Sequence, residues 1–503
     1  MEEYSPSGNR AHLSNIAFSI SAWAIPLLLA FVATPILVKN LGLAGYGIYT
    51  LVLAVIGFGF TTGIGRVNAK YIPEFRASND AQELEKYLSF TFWLTIVASI
   101  VQGLFLAILT PYLVNSVFNI ADGTGSTVEA ALFITCVIGP VMMIGQFFQS
   151  SLQGLHRFRT LSIITNVSAV IMNVGAIVLA ISGYGVLAII AWNLVVTTAS
   201  LIAFYFSVRK LLPEFRPRLN YDREVAVTIL KYAASIVIYQ VMASVLYIFE
   251  RGYVIRNYGS EALTYYVVPL MLGIYLHALL FNFVQAAIPV LNEKLRSTED
   301  LASYYQDLTR VVLAIAGVIL VEYLGHGDHF LYLWLGHPFS EISYYLLMIH
   351  GSAFAMIVVS LVSWILIEAE RRPAINALSS VVSTAIALIV IVTLGRTLEL
   401  QGVAYGRLFG AIAVLPLIWY AEFKFFGRIF WKLWLHAFAA LSVASFLPIA
   451  LGRLLSTNGF AAWPKLVVGA IVCAIVYFVL LLLLQFIPIR LLKTFIRRSN
   501  EAA

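Results

Sequence analysis

Charge is scarce along this chain. Only 11% of its 503 residues are Asp, Glu, Lys or Arg and 61% are hydrophobic, whereas soluble domains carry about 25% charged residues. That excludes an ordinary soluble protein. Residues 13–38, 40–65, 88–121 and 160–208 contain no Asp, Glu, Lys or Arg, and each is long enough for one membrane span or more at roughly 20 residues per span. Cysteine is scarcer still. Cys136 and Cys473 both lie in apolar runs and read as small core residues rather than a disulfide or a metal site. There is no Gly-x-x-x-x-Gly-Lys phosphate loop and no hydrophilic stretch long enough for a nucleotide-binding domain. Energy for any transport must therefore come from an ion gradient, the substrate gradient or another polypeptide. No nucleophile constellation sits on a sizeable extramembrane domain, which argues against an enzyme, and no cofactor motif is present.

What the chain does have is a succession of apolar runs. Their polar breaks predict an all-α polytopic membrane protein of about fourteen helices, at roughly 14–38, 45–65, 88–110, 128–152, 161–181, 185–208, 225–254, 261–285, 305–324, 342–366, 374–395, 401–421, 433–453 and 465–488. With the N-terminus inside, the basic residues concentrate in the inner loops: Arg66, Lys70, Arg76 and Lys86, then Arg157 and Arg159, then Arg209, Lys210, Arg216 and Arg218. The tail adds Arg490, Lys493, Arg497 and Arg498. This positive-inside pattern puts both termini in the cytoplasm. It also accounts for the formal charge of +7 as a topology signal rather than a nucleic-acid surface. The first apolar run is too long for a signal-peptide core and is expected to be retained.

An internal repeat is visible. Val38-Lys39-Asn40-Leu41-Gly42 resembles Ile255-Arg256-Asn257-Tyr258-Gly259, and Tyr49 matches Tyr266 at the same offset, 259 − 42 = 217. Gly185-Val186 and Gly402-Val403 share it, 402 − 185 = 217. Two six-helix lobes follow, over residues 1–223 and 224–423, with an additional helix pair and cytoplasmic tail over 424–503. Six being even, the lobes share one membrane orientation, and a cavity between them is the natural transport site. Pro26 and Pro35 lie in the first span, and the repeat carries Pro35 onto Gly252. Proline removes a backbone donor and glycine weakens the ladder, so these positions are candidates for gating bends, ordinary packing kinks being the alternative.

Intramembrane charge is the rarest feature and the most informative. Glu250 and Arg251 interrupt an apolar span, where an ionised side chain costs on the order of 3 kcal/mol and normally faces protein or water. A guanidinium offers a planar fork of donors suited to phosphate oxygens. The competing reading is an interfacial pair with Arg251 snorkelling. Arg407 falls about six residues inside its span and Glu322 near the outer end of another, so Glu250, Arg251, Glu322 and Arg407 are expected at similar depth as a polar cluster lining the cavity. Arg66 and Lys70, one helical turn apart, form a basic vestibule or serve as ordinary inner-face anchors. His277 is expected to be a structural histidine. His326, Asp328, His329 and His337 lack a convincing metal-ligand spacing.

The stretch Asn40-Leu41-Gly42-Leu43-Ala44-Gly45-Tyr46-Gly47-Ile48-Tyr49, the later Arg66-Val67-Asn68-Ala69-Lys70-Tyr71, and Glu250-Arg251 followed by Asn257-Tyr258-Gly259 and Tyr265-Tyr266 resemble the polysaccharide-transporter branch of the multidrug/oligosaccharidyl-lipid/polysaccharide exporter superfamily, the Wzx-type flippases. The resemblance covers nearly the whole chain. It implies a bacterial or archaeal plasma-membrane protein that moves a polyprenyl-(pyro)phosphate-linked oligosaccharide to the outer leaflet by alternating access, for O-antigen, capsule or exopolysaccharide synthesis. A coupling ion (H+ or Na+) and pathway partners, a glycan polymerase and glycosyltransferases, come with it. Relatives usually have Asp-Arg where this chain has Glu250-Arg251, which keeps the charge and lengthens the acid. The alternatives are an ion-coupled multidrug exporter or a peptidoglycan-precursor flippase of the same fold. A cationic drug favours acidic cavity residues, against Arg251 and Arg407 here.

Overall fold

The computed structural model describes residues 9–57, 68, 72–73, 81–120, 124–212, 215, 217–218, 223–285, 291, 294, 298–370, 372–457 and 462–487. Arg66 and Lys70 lie outside them. The described residues are helical almost throughout, as hydrocarbon demands: a backbone without water must satisfy its N–H and C=O groups internally. The helices are α1 Asn9–Gly57, α2 Ala81–Tyr112, α3 Gly125–Gly154, α4 Phe158–Ile181, α5 Val186–Leu211, α6 Arg223–Gln285, α7 Thr298–Leu335, α8 His337–Val359, α9 Leu361–Ala369, α10 Pro373–Ile412, α11 Pro416–Phe426, α12 Trp431–Thr457 and α13 Trp463–Leu483. Eleven stretches among them are long and apolar enough to cross a membrane. The chain is thus an all-α, multi-pass membrane protein.

Three of the long helices are broken internally. Non-helical residues occur at Gly42 in α1, Gly259 in α6 and Glu399 in α10. The breaks fall between the expected spans 14–38 and 45–65, 225–254 and 261–285, and 374–395 and 401–421. Gly42 (φ 72°, ψ 169°) and Gly259 (φ 87°, ψ 172°) share one conformation, in a region essentially restricted to glycine. They are also the two glycines that the 217-residue offset pairs. The match at Gly185 and Gly402 is looser: Gly185 caps α5, whereas the break in α10 comes three residues before Gly402, at Glu399.

Contacts divide the chain into two compact units, Met1–Thr264 and Tyr265–Ala503. This is a different partition from repeat lobes ending at residue 223, because the beginning of α6 goes with the first unit. The reason is local packing. A Cβ on Gly47 would lie 2.1 Å from the Ser260 carbonyl oxygen, and Thr264 Oγ1 donates to Leu43 O at 2.6 Å. In the first unit, α1 packs on α4, α2 on α3, and α3 on α5. Its core includes edge-to-face contacts of Phe92 with Phe147 and Phe215, an arrangement favoured by the ring quadrupole. In the second, α7 packs on α8 and α12, α8 on α10, and α12 on α13. Proline starts α8, α10, α11 and α13, where its missing N–H has no intrahelical partner to lose.

Neither Pro26 nor Pro35 disrupts helical backbone geometry in α1, whose non-helical residue is Gly42. Gly252 is a close-packing position. A Cβ there would meet Phe118 at 3.0 Å, and Phe118 ends the π-helical segment Leu113–Phe118 that continues α2.

Candidate functional site

Arg251 is among the largest fully buried side chains, at 1% exposure, and Glu250 beside it is at 0%. Both lie on α6, a little over two turns before the Gly259 break. The guanidinium folds back on its own helix. Nη1 donates to Tyr247 O at 3.0 Å, and Cζ stands 3.5 Å from the centroid of the Tyr247 ring, a cation–π contact. Tyr46 from α1 lies within electrostatic reach of Arg251 and Tyr247, and its hydroxyl is 3.4 Å from Thr34 Oγ1. Arg251 Nε is buried and has no hydrogen-bond partner among the described residues. A buried charge with an unused donor is costly unless something else supplies the acceptor. The snorkelling alternative does not hold, since snorkelling would leave the head in water.

In the second unit, Arg407 on α10 is 9% exposed and stands over the Phe354 ring of α8 at 5.3 Å. His277 on α6 stacks on Phe281 at 5.8 Å and lies 6.1 Å from Phe354. Arg407 is close enough to act on His277 electrostatically. His277, expected as a lone structural histidine, is thus not alone. The structure makes it the neighbour of an intramembrane arginine, which no local pattern signals because 277 and 407 are remote in the chain.

Glu322 has a different setting from the expected cluster. Its Oε2 is 2.8 Å from His326 Nδ1, one turn along α7, and the histidine is lodged against Gly452 of α12 and Gly469 of α13. Glu322 is therefore drawn to the side of α7 that carries the additional helix pair. His326, Asp328 and His329 fall within α7. Among the described residues no three His, Cys, Asp or Glu side chains gather as a metal site.

One carboxylate escaped sequence reasoning. Glu422 on α11 is wholly buried. Tyr305 OH and Trp434 Nε1 donate to its Oε1 at 3.2 and 2.7 Å, and Phe430 N donates to Oε2 at 2.8 Å. Ser363 Oγ lies 2.8 Å from the same tyrosine hydroxyl. Three donors satisfy the carboxylate, so this is an internal tie between α7, α9, α11 and α12.

Comparison with known proteins adds family and fold. The family described as "Polysaccharide biosynthesis protein" matches residues 36–344. A Shigella flexneri protein whose name points to O-antigen transport is 24% identical over 159 residues, 31% of this chain and 37% of that protein. The match thus spans well under half of that relative. A structure of the lipid II flippase MurJ in an inward closed conformation superposes with a TM-score of 0.71 at 12% identity, covering 93% of this chain and 99% of that one. An inward-facing multidrug resistance MATE family transporter of the MOP superfamily gives 0.68 at 13%, covering 81% and 98%. A MOP superfamily transporter from Pyrococcus furiosus, noted for reversed polarity of its binding pocket, gives 0.61 at 15%, covering 83% and 95%. At these identities the structural likenesses establish the fold alone.

Proposed function

The chain belongs to the polysaccharide biosynthesis protein family, and we propose that it is a flippase carrying a polyprenyl-(pyro)phosphate-linked oligosaccharide from the inner to the outer leaflet of a bacterial or archaeal plasma membrane, by alternating access, with both termini cytoplasmic. The observation that carries this reading is Arg251: a guanidinium 1% exposed inside an apolar span, with a buried Nε that no described residue satisfies. A pyrophosphate supplies the missing acceptors and the compensating charge. Arg407, 9% exposed and stacked over Phe354 in the second unit, is a second intramembrane cation of a kind suited to phosphate. Its aromatic neighbours are suited to sugar faces. Glu250 and Arg66 are retained as substrate-lining candidates, and Pro26, Pro35 and Gly252 as gating candidates. Glycosyltransferases and a glycan polymerase are the expected pathway partners.

A sugar pyrophosphate cannot cross hydrocarbon unaided, because desolvating its anions and hydroxyls is prohibitive. Buried arginines reduce that cost for this cargo and raise it for a cationic drug, which disfavours the multidrug reading. A peptidoglycan precursor also carries a polyprenyl pyrophosphate, so its head group alone does not separate it from a surface glycan. The test is complementation in a host whose own surface-glycan exporter has been deleted. Arg251→Ala and Arg407→Ala are each expected to lose surface glycan while reaching the membrane at the wild-type level. Wild-type glycan in both variants overturns the assignment of these residues, and failure of the unaltered chain to restore any glycan, with rescue of a peptidoglycan-precursor flippase mutant instead, overturns the cargo.

A further inference from the structure

Along the contact of α7 with α13 runs a line of polar groups that the proposed site does not use. On α13, Gly469, Cys473 and Tyr477 recur every fourth residue and so share one helix face. On α7, His326, Glu322 and Gly317 meet them in reverse order. His326 Nε2 lies 3.2 Å from the position of a Cβ on Gly469, Glu322 acts electrostatically on Cys473, and Tyr477 OH fills the space in front of Gly317. The surroundings are apolar, with Leu313, Val321, Ala440 and Ala444 buried in the same cluster as Tyr477. Yet Glu322 Oε1, His326 Nε2 and Tyr477 OH are all buried and without hydrogen-bond partners among the described residues. Unsatisfied buried polar atoms are few in native proteins, and an intramembrane ionisable residue marks an ion or proton pathway more often than a packing device.

We propose that Glu322 and His326 form a proton-binding site through which the additional helix pair senses the proton gradient. The dyad is built for one proton. With the imidazole neutral, Nδ1–H donates to Glu322 Oε2 across the observed 2.8 Å, and the pair carries one negative charge. A proton added at Nε2 leaves the Nδ1 bond in place and makes the pair an imidazolium–carboxylate of zero net charge. His326 is 5% exposed and closely confined: a Cβ on Gly452 would sit 2.9 Å from its Cε1. Having no net charge, the loaded pair costs less to keep between α7, α12 and α13 than the unloaded pair, although its new Nε2–H still calls for one acceptor. The unloaded pair leaves a net negative charge on a Glu322 side chain that is only 24% exposed, and this favours opening of the seam to water.

Among the described residues, the neighbouring charged and titratable groups have contacts of their own. Asp328 of α7 lies 3.8 Å from Arg453 of α12, and Arg453 also donates to Tyr344 OH of α8. His329 is 3.9 Å from Asp328, Tyr323 donates to Leu272 O, and Cys473 Sγ donates to Pro448 O at 3.4 Å. A proton suits the dyad better than Na+, which prefers several hard oxygen ligands, whereas the pair offers one carboxylate and an imidazole nitrogen.

Proton binding does not depend on the cargo; its coupling to transport rests on the flippase reading, so the test has two arms. In nanodiscs containing 15N-histidine-labelled protein, the imidazole signal that disappears in His326→Gln is expected to titrate, and Glu322→Gln is expected to displace its midpoint by roughly tenfold or more in proton concentration. A His326 signal unchanged from acid to alkaline pH, or one that titrates identically in Glu322→Gln, overturns the site. In cells, collapsing the proton gradient is expected to lower wild-type glycan export at least threefold and to leave the residual export of Glu322→Gln unaffected. Equal sensitivity in the two proteins, or dependence on sodium instead, overturns the coupling. A titrating dyad in a protein that exports no glycan in any form counts against the flippase reading and leaves the proton site standing.

Discussion

Asn40 and Asn257 do the same thing in two places. Each side-chain amide donates to the carbonyl four residues back, Ile36 and Tyr253, at 2.7 Å in both cases, two residues before a glycine of positive φ. With the shared offset of 217 residues, this ties the sequence repeat to a repeated piece of backbone. Six residues earlier the copies diverge in side chain but keep the contact: Thr34 Oγ1 donates to Ala30 O and Arg251 Nη1 to Tyr247 O. The position that bears the buried cation in the second copy bears only a hydroxyl in the first.

Gly42→Ala and Gly259→Ala are each expected to destabilise the protein by about 1–3 kcal/mol. Nothing lies within 4 Å of a Cβ at either position, so the cost is conformational alone, and Val should be no better tolerated than Ala. Thermal unfolding of the purified protein in detergent measures it.

Gly47→Ala tests contact rather than conformation. The new methyl would meet the Ser260 carbonyl oxygen and Thr264 Oγ1, and α1 must shift from α6 at a cost of about 1–3 kcal/mol. Gly145→Ala, with open space around its Cβ, is the matched control, expected to be neutral or stabilising by up to about 1 kcal/mol.

Arg251→Lys is expected to leave stability nearly unchanged and to reduce glycan export on the order of tenfold, because a lysine ammonium lacks the planar fork that engages two phosphate oxygens. Near-normal export by the lysine variant would reduce the role of Arg251 to that of a point charge. Surface-glycan staining alongside membrane protein level separates the two.

Glu422→Gln keeps the shape of the side chain and replaces one acceptor with a donor facing other donors. A loss of about 2–3 kcal/mol is expected from the two charge-assisted bonds that suffer, against about 1 kcal/mol for Tyr305→Phe. Unfolding midpoints of the two variants, compared in one detergent, give the order.

Helix positions and the repeat were readable because length without charge and a glycine that only one backbone region explains are local signals. The breaks at Gly42 and Gly259 fall between the spans read from the apolar runs. The break at Glu399 carries no glycine and was located only as a polar gap. Which way a residue faces was harder to read. Depth along the span is legible for Glu322, but the glycines that seat its partner His326, Gly452 and Gly469, lie on helices over a hundred residues away, and a helix that is apolar nearly all round offers no moment to orient it. Glu422 gives no local signal for the same reason: its donors, Tyr305, Phe430 and Trp434, come from both sides of it in sequence, and only folding assembles them.

The tie at Glu422 also bears on how such a chain can be shortened or lengthened. Two of its three donors, Phe430 N and Trp434 Nε1, sit at the threshold of α12, beyond the twelfth expected span. A version of this protein ending before Phe430 would keep the carboxylate and lose most of what makes it tolerable. The acid at 422 and the indole N–H donor twelve residues later thus make the entry to the terminal helices part of the second unit's interior, not an appendage that could be cut away at no cost.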